Sequence, residues 1–182
     1  MKAVETFLKG CFVIEPALYR DERGVFYESY NQRKLEELLE QELNFVQDNH
    51  SVSKRGVMRG MHFQKGENAQ AKLIRVPKGK VLDVVLDLRP DSETYLKHFK
   101  QVLSEENKKM LYVPRGFAHG FLSIEEDTHF TYKCDNYYNP ASEAGLMYND
   151  PLLGIDWNFS LSEMVIAEKD MNWPLLKNDG ND

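Results

Sequence analysis

Between residues 72 and 88 the chain leaves little choice of secondary structure. Lys72-Leu73-Ile74-Arg75-Val76 and Val81-Leu82-Asp83-Val84-Val85-Leu86-Asp87-Leu88 are apolar, β-branched runs joined by the turn residues Pro77-Lys78-Gly79-Lys80. Branching at Cβ suits a pleated strand, and Pro and Gly punctuate the turn. Side chains alternate across a strand, so Leu82, Val84, Leu86 and Leu88 share one face and Asp83, Val85 and Asp87 share the other. Two aspartates on one face admit two readings: the face meets water, or it lines a polar cavity inside a barrel. Taken alone, the strand favours water.

The same signals recur along the chain. Met110 to Phe121 reads as a strand, a Pro-Arg-Gly turn and a second strand. Residues 129–138 form another, with Phe130, Tyr132 and Cys134 on one face and Thr131 and Lys133 on the other. One helix is legible over residues 31–40, with Asn31 as N-cap, Leu35, Leu38 and Leu39 on one face and Leu43 continuing it. The tail Glu168-Lys169-Asp170-Met171-Asn172-Trp173 reads as a short helix folded back onto the strands. Many short strands with one early helix predict an antiparallel sandwich or jelly roll.

At 182 residues, without internal repeats or a Ser/Gly linker, the chain reads as a single domain over 1–182. A net charge of −6 argues against non-specific nucleic-acid binding. Cys11 and Cys134 stand alone and read as reduced thiols. With no signal-peptide pattern and no apolar run near the roughly 20 residues a membrane span needs, the cytoplasm is the expected location.

Of five histidines, His50 is ambiguous, and His98 and His129 read as surface residues. His62, in Val57-Met58-Arg59-Gly60-Met61-His62-Phe63-Gln64, admits three roles: metal ligand, proton carrier or packed core residue. Gly56 followed by His62, and Pro114-x-Gly116-x-x-His119, match the two halves of the cupin signature, which belongs to double-stranded β-barrels. A metal-binding cupin adds a second histidine two residues after the first and a carboxylate a few residues later. Here Gln64, Asn68 and Ala69 occupy those places and Glu67 is out of step. Two imidazoles and an amide are a poor transition-metal set, so no metal is expected. His62 and His119 then need polar partners inside the barrel, and Asp83 is a candidate for one of them.

The segments 21–31 (DERGVFYESYN), 45–64 (FVQDNHSVSKRGVMRGMHFQ), 72–89 (KLIRVPKGKVLDVVLDLR), 113–121 (VPRGFAHGF), 132–140 (YKCDNYYNP) and 154–157 (GIDW) closely resemble the dTDP-4-dehydrorhamnose 3,5-epimerases. The match runs almost end to end. It implies a mainly β, cupin-type jelly-roll barrel with one or a few short peripheral helices. It also implies an isomerase that removes protons beside the C4 ketone of a nucleotide-linked 6-deoxy-4-ketohexose and returns them from the opposite face, without metal or redox cofactor. Inversion at C3 alone, or action on another nucleotide-linked 4-keto sugar such as a deoxyaminosugar or heptose, is the alternative.

By resemblance His62 is the general base, suited to the work because imidazole titrates near working pH. Asp170 is its paired carboxylate, Lys72 stabilises the enolate on the C4 oxygen, and Tyr132 is the acid on the far side. From spacing alone, Lys72 reads as a solvated lysine at a strand end and Tyr132 as a core aromatic. Arg23, Phe26, Glu28, Gln47, Asn49 and Tyr138 resemble the nucleotide contacts, with Phe26 and Tyr138 stacking on the base. The resemblance further implies a homodimer in which the 23–28 strand reaches into a neighbouring subunit's site. His119 and Asp83 resemble a second histidine–aspartate pair that orients substrate. Arg59 resembles a diphosphate contact, yet it stands three residues before His62 and so on the opposite face of an ideal strand. Either the strand bends or Arg59 sits on the rim. Arg115 stands where an acidic residue is common; it alters the pocket mouth or is simply solvated.

Overall fold

The computed structural model describes residues 1–176. In chain order the strands are β1 (Lys2–Glu5), β2 (Phe12–Glu15), β3 (Tyr19–Asp21) and β4 (Gly24–Phe26), followed by helix α1 (Gln32–Leu39). Then come β5 (Gln47–Ser53), β6 (Val57–Gln64), β7 (Lys72–Lys78), β8 (Lys80–Asp87) and β9 (His98–Ser104). The series ends with β10 (Met110–Val113), β11 (Phe117–Ser123), β12 (Thr128–Cys134), β13 (Glu143–Gly145) and β14 (Val165–Ile166). One sheet runs β1-β2-β10-β7-β12-β5; the other runs β13-β6-β11-β8-β9, with β14 added in parallel beside β6. The two face each other as a jelly roll, and β3 and β4 form a separate two-stranded hairpin. Among the described residues no helix is long and apolar enough to cross a membrane.

The strands around Pro77-Lys78-Gly79-Lys80 do not pair with each other. β7 ladders with β10 and β12, and β8 with β11 and β9, so the turn carries the chain from one sheet to the other. This crossing overturns the water-facing reading of Asp83 and Asp87, both of which are fully buried. Val81 and Val85, on their face, pack into the core between the sheets with Ile74, Leu111, Phe121 and Phe130. Leu82, Val84 and Leu86 point the other way, under a covering layer that includes Leu146, Leu153 and Trp157. Both faces of β8 are therefore inside. Asp87 is satisfied there by Arg89, Ser92 and Thr94, which tie down the following loop.

Helix α1 forms as predicted, with the Asn31 side chain accepting from the Lys34 N–H. Leu35, Leu39 and Leu43 bury against Ile14, Leu73 and Met110 on the outer face of the first sheet. The tail differs from expectation: residues 168–171 form tight turns, with Asp170 and Met171 both donating to the Ala167 carbonyl, and no helix. Pairing of β14 with β6 anchors this tail immediately before the turns.

The β6–β11 ladder contains a bulge. His62 lies opposite His119 but Arg59 lies opposite Phe121, so three steps along β6 match two along β11. Gly60 supplies the extra residue, at φ +137°, and a Cβ there would lie 2.4 Å from the Gly120 Cα. Gly60→Ala is expected to cost about 2 kcal/mol or more, because any side chain forces these two backbones apart. Urea unfolding checks this, and an unchanged midpoint would refute the contact.

Candidate active site

The inter-sheet space is apolar through most of its length and polar at one end. There a cavity of about 410 Å³ is lined by Asn49, Arg59, His62, Lys72, His119, Phe130, Tyr132, Lys169 and Asp170, among others. Seven residues singled out from the sequence thus come from five strands and a C-terminal turn to one place. The bulge resolves the position of Arg59: it shifts the strand's alternation by one, so Arg59 and His62 open to the same cavity. The bent strand, and not a rim position, is what unites them.

His62 and Tyr132 reach the cavity from opposite walls, since β6 and β12 belong to different sheets. His62 Nε2 lies 2.6 Å from Asp170 Oδ1, a short charge-assisted hydrogen bond. With Nε2 carrying the proton that Asp170 accepts, Nδ1 is the nitrogen free to take another. Burial pushes the Asp170 carboxyl up, but the hydrogen bonds from His62, Gly60 and Trp173, together with the charge of His62, outweigh it and leave the group below its ordinary value. Asp170 Oδ2 also accepts the Gly60 N–H at 3.3 Å, so the bulge and the carboxylate hold each other.

On the opposite wall, burial pushes the Tyr132 hydroxyl up to about 12, which keeps it a neutral proton donor throughout the working range. Lys72 lies beside it, with Nζ 5.6 Å from the Tyr132 ring centroid. Burial pushes the Lys72 ammonium below the ordinary lysine range. Of the two spacing-based alternatives, the solvated one fails for Lys72, which is enclosed, while the core-aromatic one holds in part for Tyr132, which packs against the core at Phe130 and also faces the cavity. His119 Nε2 bonds Asp83 Oδ2 at 2.9 Å in full burial, and its ring stacks on Phe130. Burial lowers the pKa of His119 in spite of Asp83, which makes it a poor proton acceptor and a good fixed hydrogen-bonding wall. His62 and His119 each spend their Nε2 on a separate carboxylate.

The remaining candidates divide. Gln47 donates to Asn49 Oδ1 at 3.0 Å and accepts the Tyr138 N–H at 2.9 Å, forming a chain from the cavity to the surface, where Tyr138 is exposed. Arg23, Phe26 and Glu28 lie away from the cavity. Arg23 pairs with Asp21, Glu28 with Lys34, and Phe26 stands 70 % exposed on the β3–β4 hairpin. Arg115 is tied to Asp135 by a 2.8 Å ion pair and does not line the cavity. His98 and His129 are half-buried and not surface residues, and His129 Nδ1 meets His50 Nε2 at 3.1 Å. Sequence reasoning missed Lys169, which lines the cavity and pairs with Glu143, and Trp173, which donates to Asp170 at 3.3 Å. Both lie in the polar tail 168–173, where nothing in the composition sets them apart from solvated neighbours.

The enclosure of Lys72 carries a cost. Folding lowers its proton affinity, so its charge destabilises the free protein at neutral pH, and this cost fades as pH rises toward the ordinary lysine range. Lys72→Met is therefore expected to stabilise the ligand-free protein by about 1 kcal/mol at pH 7, with the gain shrinking by pH 10. Denaturant titrations at the two pH values check this; a destabilised variant would mean that the ammonium is satisfied where it stands.

Comparison with known proteins places the chain in a family. The family model described as dTDP-4-dehydrorhamnose 3,5-epimerase matches residues 5–178. The chain is 48 % identical over 176 residues to the dTDP-4-dehydrorhamnose 3,5-epimerase of Salmonella typhimurium, covering 97 % of this chain and 96 % of that one. A crystal structure of the Elizabethkingia anophelis dTDP-4-dehydrorhamnose 3,5-epimerase superposes with a TM-score of 0.94 at 52 % identity, covering 98 % of both chains. A Legionella pneumophila dTDP-6-deoxy-D-glucose-3,5-epimerase in complex with dTDP-4-keto-L-rhamnose superposes at 0.91 with 42 % identity, over 96 % of this chain and 92 % of that one. With a matched family model spanning nearly its whole length, the chain belongs to the dTDP-4-dehydrorhamnose 3,5-epimerase family.

Proposed function

We propose that this enzyme inverts C3 and C5 of dTDP-4-dehydro-6-deoxy-D-glucose to give dTDP-4-dehydro-L-rhamnose. The observation that carries the reading is a carboxylate-paired imidazole on one wall of a cavity and a neutral phenol on the other. A hydrogen beside a ketone leaves as a proton, its bonding pair passing into an enolate whose charge rests on the C4 oxygen. His62 accepts that proton, and Asp170 supports the resulting imidazolium. Lys72 faces the enolate oxygen, where a fixed cation acts on charge that develops only during reaction. Tyr132 returns a proton from the opposite face, which inverts the carbon; a single base would restore it. The sugar is neither oxidised nor reduced, so the step needs no redox partner.

Arg59 and Lys169 give the cavity mouth positive charge for the diphosphate, and Gln47, Asn49 and Tyr138 lie outward along the same path toward the base. His119, fixed by Asp83, orients the sugar. We read the chain as one domain acting in the cytoplasm, in keeping with two unpaired, buried thiols. We read the working form as a homodimer. The exposure of Phe26, and the hairpin's lack of any ladder to either large sheet, support Arg23, Phe26 and Glu28 completing the site of a second copy.

Incubation with dTDP-4-dehydro-6-deoxy-D-glucose in deuterated water is expected to place deuterium at both C3 and C5. Label at C3 alone would identify a 3-epimerase, and no label would end the proposal. His62→Ala is expected to slow exchange about 10²–10⁴-fold, and Tyr132→Phe to impair C5 inversion more than C3 exchange. The shared site is tested by mixing two defective chains, Arg23→Ala and His62→Ala. A hybrid dimer then has one site carrying both lesions and one carrying neither, so activity above either parent is expected. No recovery in verified hybrids would mean that each site uses its own hairpin.

A further inference from the structure

Trp173 belongs to no wall of the cavity, yet it is built into the base. Its indole N–H donates to Asp170 Oδ1 at 3.3 Å, the same oxygen that bonds His62 at 2.6 Å. Its ring meets the His62 ring edge-on, with centroids 6.0 Å apart at 70°. It occupies space that only glycine allows on β13: a Cβ at Gly145, the residue opposite His62, would lie 2.5 Å from the indole carbons. The Lys169 ammonium sits 5.7 Å from the ring centroid on a residue of the same turn. Backbone, cation and imidazole thus hold the indole in one orientation.

We infer that Trp173 is a positioning residue for the His62–Asp170 pair, sharing the carboxylate oxygen with His62 and so weakening Asp170's pull on the imidazole proton. The inference rests on His62 being the proton acceptor. A carboxylate oxygen that accepts two N–H groups offers each less electron density than one that accepts a single group. With the indole in place, His62 is held in one tautomer but gives up an acquired proton more readily. The other charged or titratable groups around His62 are Arg59 on its own strand, His119 with Asp83 on β11 and β8, His50, Lys72 and Tyr132 across the cavity on β5, β7 and β12, and the Lys169–Glu143 ion pair. None of these donates to Asp170; apart from His62 and Trp173, its donor is the Gly60 N–H.

Trp173→Phe keeps an aromatic ring against Gly145 and removes the N–H. Two measurements on the full-length protein test the role. In the free enzyme, the proton NMR signal of the His62–Asp170 hydrogen bond is expected to move further downfield. In the exchange assay, the acid limb of the pH–rate profile is expected to rise by roughly half a pH unit, the size of one long hydrogen bond, with KM unchanged. The direction follows because a proton held more strongly keeps His62 occupied to higher pH. An unmoved resonance together with an unmoved acid limb in folded Trp173→Phe overturns the inference. A limb shift of the opposite sign overturns it too. If Trp173→Phe does not fold, Gly145→Ala displaces the indole while leaving it present; the same two shifts are then expected, and their absence or reversal overturns the inference in the same way. The NMR reading needs no substrate, so failure of the epimerase assignment would remain distinguishable from failure of this one.

Discussion

The contact between Gly60 and Gly120 is the point on which the site's geometry depends. Two backbones approach closely because neither residue carries a side chain, and β6 takes up the extra residue as a bulge. Three consequences follow from that one irregularity. Arg59 comes round to the wall that His62 already occupies. His62 and His119 fall opposite each other across the ladder. The Gly60 N–H is freed from regular pairing with β11 and donates to Asp170, docking the C-terminal turn over the base. A regular strand would have sent Arg59 out of the cavity and left the carboxylate without its backbone anchor.

Around this point the molecule separates stability from chemistry. Phe121 and Phe130, stacked at 3.9 Å, close the inner end of the cavity, and aliphatic side chains fill the space beyond, forming an apolar core between the sheets. The polar end is the opposite. Lys72, His119 and Asp83 are all costly to enclose, and only the last two satisfy each other. Asp83 Oδ1 has no hydrogen-bond partner among the described residues. Such groups belong where charge must be available to a ligand that water would otherwise screen. The apolar core contributes the stability that lets these groups remain poorly satisfied.

Much of this was legible in the chain. The period-two runs specified strands, and Asn31 with the leucine spacing specified α1. The family resemblance pointed to His62, Lys72, Tyr132 and Asp170, which the fold brings to one cavity. What stayed hidden was of another kind. The burial of Asp83 and Asp87 depends on which sheet each strand joins, and the crossing at Gly79 is invisible to a pattern that only counts alternation. Trp173 and Lys169 looked like parts of a polar tail because their partners, Asp170 and Glu143, bind them through a turn and a distant strand.

The sequence by itself determined most local conformations, the class of fold and, through its likeness to a family, which imidazole to propose as the proton carrier. These are set by residues near one another in the chain, where backbone sterics and side-chain alternation act directly. Only the tertiary structure decided that Arg59 shares a wall with His62, that base and phenol face each other from different sheets, and that an indole shares the base's carboxylate. Each of those depends on register, a bulge or a sheet crossing, and such features are settled by packing between segments that are far apart in the chain.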